Sequence, residues 1–125
     1  MAKLGQYGHQ LHTMTAQEVL DVGVEHLLTQ MEKSVRWEDK HSTACLYDGG
    51  DVCCGAAPFI KDAAGFNHKG LWRSMVSNGW ASENHAPLIS QLQAVHDDYD
   101  VVDWASQLKE LATKEGLVYN GEQYE

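Results

Sequence analysis

His41 and Cys45 stand four residues apart, and Cys53 and Cys54 follow after a glycine-rich turn. Imidazole and thiolate at that spacing can bind zinc, so His41, Cys45 and Cys54 form a candidate three-ligand site. No Cys-x-x-Cys knuckle accompanies them. The competing reading makes the thiols small buried apolar groups, free cysteine being among the most buried residue types. On that reading no cofactor is needed, and zinc is the one metal the pattern leaves open. Cys45 or Cys54 could instead be a nucleophile activated by His41, with backbone N–H groups of Gly55-Ala56-Ala57 facing an oxyanion, but no third group to orient the base is visible. An odd count of three cysteines fits a reducing cytoplasm.

His96-Asp97 is a second pairing with chemical potential. With His68 or His85 upstream and Asp103 downstream it has the residue types of a metal-dependent phosphohydrolase. The pair also falls near a predicted helix end, where histidine is favoured by the helix dipole. Asp97, Asp98, Asp100 and Asp103 make an acidic run that reads either as a partner-binding face or as a solvated surface, with two of its members free to cap helices. Of four tryptophans, Trp72 and Trp104 lie on apolar stripes. Trp37 and Trp80 lie in predicted loops and are the candidate aromatic anchors of a protein interface.

The elements that must position these residues follow from periodicity. Thr15 with Glu18 makes a capping box, and Val19, Leu20, Val24, Leu27, Leu28 and Met31 recur at helical spacing, predicting a helix over 16–33. Residues 43–47 and 52–54 flank Asp48-Gly49-Gly50-Asp51 and read as a β-hairpin. A short helix is expected over 71–77. Another starts at Pro87 and carries Leu88, Ile89, Leu92, Val95 and Tyr99 on one stripe. A last helix follows Asp100 and ends at Gly116-Leu117. The expected class is α+β, mostly α: an N-terminal helix, a small β-hairpin and three further helices, the last two an antiparallel pair. Residues 1–14 are expected as a flexible arm, 15–117 as one compact domain and 118–125 as a polar tail.

Composition narrows the function classes. The 125 residues include 9 basic and 18 acidic ones, a net charge of −9. That balance argues against a phosphate-neutralising nucleic-acid face and against adsorption to an anionic membrane. Apolar residues at 43% suffice for a core, and no run is long enough to span a bilayer. A spare apolar face on the helix pair leaves a homodimer open.

Several of these stretches together resemble a family of uncharacterised proteins of tailed bacteriophages and prophages. The matching pieces are Cys45-Leu46-Tyr47, Gly49-Gly50, the run from Cys54 to Ile60 with Asp62, then Leu88 to Gln93, His96-Asp97, Trp104, Leu108 and Gly116-Leu117. The resemblance spans residues 15–117. Cys53 is additional here, and His68-Lys69-Gly70 replaces the family's usual acidic residue and glycine. The family brings no established activity. It implies a small acidic phage accessory protein, acting in the host cytoplasm by binding a host or phage protein, with countering of a host defence system as one such role. The rival classes are a metal- or thiol-dependent enzyme on His41, Cys45 and Cys54, and a virion structural or assembly protein.

Overall fold

The structure, a computed structural model, describes residues 6–32, 35–39, 42–45, 55–59 and 82–125. Helix α1 spans Ala16–Gln30 and is started by the capping box that Thr15 and Glu18 spell. The Thr15 hydroxyl accepts from the Glu18 N–H at 3.1 Å, and the Glu18 carboxylate accepts from the Thr15 N–H at 2.9 Å. Two of the free N–H groups of the first turn are thereby satisfied. The helix stops short of the expected residue 33 because Met31 takes a left-handed conformation, φ 50°, with its N–H on the Leu27 carbonyl. Met31 is consequently exposed rather than on the apolar stripe.

Helix α2 spans Ala86–Asp98, with Pro87 in its first turn, where a missing N–H costs nothing. Its buried face carries Leu88, Ile89, Leu92 and Val95, and also the polar Gln93 and His96. Tyr99, expected on that stripe, is the extended residue that ends the helix, and it is exposed. A turn of 3-10 helix, Val101–Asp103, leads directly into α3, Trp104–Lys114. The Asp100 carbonyl, rather than its side chain, accepts the Asp103 N–H at 2.8 Å. At the far end Gly116 sits at φ 69°, and the Leu117 N–H reaches back to the Ala112 carbonyl at 2.8 Å, a Schellman ending.

The three helices pack against one another pairwise. Their core runs from Leu20 and Leu27 on α1 through Ile89 and Leu92 on α2 to Trp104 and Leu108 on α3, with Phe59 added from a 3-10 turn, Ala57–Phe59. Two glycines permit close approaches to Leu92. A Cβ on Gly23 of α1 would fall 2.6 Å from a Leu92 methyl, which explains a glycine in mid-helix, and a Cβ on Gly55 would fall 2.5 Å from the Leu92 carbonyl oxygen.

This architecture corrects the expected α+β class. The packed part is helix on helix, and no β-hairpin about Gly49-Gly50 is seen among the described residues, since 46–54 lie outside them. Apart from the helices, the backbone of Val35–Asp39 (β1) runs antiparallel to Ser42–Cys45 (β2), pairing Val35 with Cys45 and Trp37 with Thr43, with an irregularity between Trp37 and Asp39. Such a two-stranded ladder is not a layer of the fold. Residues 43–45 pair with the segment before them; residues 52–54 lie outside the described residues, as does the helix expected over 71–77.

Both chain ends are more engaged than their composition suggests. In the segment expected as an arm, Leu11 is fully buried in the core, and the Tyr7 N–H is donated to the Pro58 carbonyl at 2.7 Å. The tail folds along α1: the Gln17 carboxamide bonds Val118, and Asn120 donates to Asp21 at 3.1 Å. Among the described residues no helix is long and apolar enough to cross a membrane.

Candidate functional site

His41, Cys53, Cys54, His68 and Trp80 lie outside the described residues. Cys45 and Trp37 are placed by backbone alone, on β2 opposite Val35 and on β1 opposite Thr43, so Trp37 belongs to a strand and not to a loop. The described residues contain no group of three His, Cys, Asp or Glu side chains arranged to hold a metal ion.

His96 and Asp97 do meet. His96 Nδ1 lies 2.7 Å from one Asp97 carboxylate oxygen, and the Gln93 amide donates to the other at 3.1 Å. Gln93 Oε1 in turn accepts the Ala56 N–H at 3.0 Å. A carboxylate on Nδ1 orients an imidazole and leaves Nε2 as the second functional atom. Here, however, the imidazole is fully buried, with the Trp104 ring centroid 5.6 Å away, so no solvent-borne substrate reaches it. The chain of bonds joins the 55–59 segment to α2, and buried polar groups satisfied in this way specify a single packing arrangement. His85, the proposed upstream partner, is turned elsewhere: its Nε2 lies 2.7 Å from the Met14 carbonyl oxygen.

The surface that remains is the corner joining α2 to α3. Asp97 is two-thirds covered by its contacts with His96 and Gln93. Asp98, Asp100 and Asp103 are exposed, and between them stand Tyr99, 40% exposed, and Val102, 84% exposed. Tyr99 is held there because its carbonyl accepts the Trp104 indole N–H at 3.2 Å, tying the corner to a fully buried tryptophan. Beside the corner a groove of about 230 Å³ opens between α2 and α3, with Asp98, Tyr99 and Glu110 on its walls and Val95 and Leu111 among its apolar lining. Sequence reasoning found the acid run. It missed Tyr99 and Val102, and the signal was present, since both apolar residues stand inside that run.

The tail carries a separate polar cluster. Glu125 accepts from the Tyr119 hydroxyl at 3.1 Å and from Lys109 at 3.2 Å, while Lys109 lies 5.3 Å from the centre of the Tyr119 ring. Partial burial above all, then the hydrogen bond to Glu125 and the charges of Glu125 and Glu122, hold the Tyr119 hydroxyl well above the ordinary phenol range.

Compared with known proteins, the chain matches no family model, no curated protein and no solved structure.

Proposed function

We propose that this protein is a small, acidic, non-enzymatic accessory protein of phage type that acts in the host cytoplasm by binding a host or phage protein through the α2–α3 corner. The observation that carries the reading is the pair Tyr99 and Val102, both exposed and three residues apart, within a rim of Asp98, Asp100 and Asp103. An aromatic and an aliphatic side chain framed by charge have the composition of an interface centre with its polar rim. The closed environment of His96 supports a binding role over a hydrolytic one for the His-Asp pair. The net charge of −9 favours a protein partner over nucleic acid or an anionic membrane. Interference with a host defence system is the role proposed for such binding.

Site-specific photo-crosslinking tests the proposal. A crosslinking residue at Val102 should capture a discrete partner from bacterial lysate, whereas one at Thr29, exposed on α1, should not. Equal capture at both positions, capture at neither, or capture only of a second copy of the chain would overturn it.

A further inference from the structure

We infer that the α2–α3 groove receives arginine side chains from a basic helical segment of the partner protein. The inference rests on the protein-binding reading and names the chemistry of that partner.

The groove is too small for an ordinary cofactor or metabolite: at about 230 Å³ it falls below the roughly 300–1,000 Å³ of small-molecule pockets. It suits one or two anchoring side chains. From α2 it is lined by Gln91, Ala94 and Val95, and Asp98, and from α3 by Gln107, Glu110 and Leu111, and Lys114. Each helix thus contributes positions i, i+3 or i+4, and i+7. The trough is two helical turns long, about 10 Å at 1.5 Å per residue. A helix presents its own anchors at the same period, which is how amphipathic helices enter grooves of this kind.

Charge selects the occupant. The lining carries two carboxylates, Asp98 and Glu110, against one ammonium, Lys114. Neither carboxylate has a hydrogen-bond or ion-pair partner among the described residues. Glutamines 91 and 107 add further acceptors, and Tyr99 offers an exposed ring at the same mouth. Arginine satisfies all of these at once. Its planar fork pairs with carboxylates, its face stacks on tyrosine, and its methylenes lie along an apolar floor such as Val95 and Leu111. An acidic helix would meet two like charges, and a purely apolar one would bury both carboxylates unpaired.

The test uses a fluorescent 14-residue helical peptide with three arginines on one face and leucines beside them, titrated by anisotropy against the intact protein at physiological salt. The matched peptide with glutamates for arginines is the comparison. The arginine peptide should bind and the glutamate peptide should not. Glu110→Lys and Asp98→Lys should each weaken binding about tenfold or more. Glu83→Lys, an equal charge change in the segment before α2, should leave it within about twofold of the parent, because long-range attraction to a screened surface charge is weak. Melting curves of all three variants confirm that they fold. In amide NMR spectra of the parent, shifts on addition of the peptide should centre on Ala94, Val95 and Leu111. Equal loss in Glu83→Lys, shifts centred elsewhere, or no binding of the arginine peptide would overturn the inference. If the Val102 crosslink captures a partner that this peptide fails to displace, the protein-binding reading stands and the arginine groove falls.

Discussion

The carboxamide of Gln17 and the backbone of Val118, 101 residues apart, bond to each other in both directions: Gln17 Nε2 donates to the Val118 carbonyl at 2.8 Å, and the Val118 N–H donates to Gln17 Oε1 at 2.9 Å. A primary amide offers one donor edge and one acceptor edge, so it pairs with an extended residue as a strand neighbour does. The contact lays the tail along α1, where Gly121 comes so close to Val24 and Tyr119 that a Cβ there would fall 2.6 Å or less from both.

Removing that amide should therefore release the tail. Gln17→Ala is expected to destabilise the protein by about 1 kcal/mol, the net value of partly exposed hydrogen bonds. Gln17→Glu should cost more, because it loses the donor edge and faces Asp21, on whose carboxylate Gln17 now donates at 2.9 Å. Limited digestion with a glutamate-specific protease followed by mass spectrometry checks this: cleavage after Glu122 in the tail should quicken in both variants while cleavage after Glu18 and Glu25 within α1 does not.

The N-terminal segment should prove structural. Leu11→Ala removes a fully buried side chain and should cost about 2–5 kcal/mol. Deleting residues 1–12 removes Leu11 and the Tyr7–Pro58 hydrogen bond together, and should lower the melting temperature steeply. A truncated protein that melts with the parent would place Leu11 outside the core.

Leu11 marks what a sequence hides. Local devices were legible: Thr15 with Glu18, Pro87, and Gly116 with Leu117 each act within a single turn, and each starts or stops a helix where its type predicts. Long-range devices were not. Residues 1–13 have no apolar period, yet Leu11 is recruited because helices from three distant places leave a site for it. Gln93 and His96 share a helical face with Ile89 and Leu92, but polar type removes them from any core list until the Ala56 N–H and Asp97 are seen to satisfy them. The ladder of Val35–Asp39 with Ser42–Cys45 was not legible because the alternation Val35-Arg36-Trp37-Glu38 sits in a stretch otherwise rich in charge, while Asp48-Gly49-Gly50-Asp51 has the stronger turn chemistry. Of the candidate site, Asp98 could be read as charge, but the groove needs two helices side by side and exists only once they pack.

The two glycines packed against Leu92 should respond differently to alanine. At Gly23 the new methyl meets the flexible end of Leu92, and alanine also gains helix propensity of about 1 kcal/mol, so Gly23→Ala should be nearly neutral. At Gly55 it meets the Leu92 backbone carbonyl, which cannot move without disturbing α2. Gly55→Ala should cost about 1–3 kcal/mol as overpacking does. Urea titrations of the two variants decide it, and an equal cost at both sites would mean that the 55–59 segment does not press on α2.

Tyr119 sets an alkaline limit to the tail's attachment. Burial and Glu125 raise its hydroxyl above the value it has in the unfolded chain. The folded state therefore holds this proton more tightly than the unfolded state does. Below pH of about 10, the ordinary phenol value, both states are protonated and the full contribution to stability is present. As pH rises through the window between the unfolded and folded values, the unfolded chain loses its proton first, and stability falls. The parent's melting temperature should accordingly decline between about pH 10 and 11.5, the range just above that unfolded value. Tyr119→Phe removes the titrating group and the hydrogen bond to Glu125, so it should start lower and decline less steeply over the same interval. Parallel slopes for the two proteins would mean that Tyr119 titrates alike in both states and that Glu125 does not hold its hydroxyl in solution.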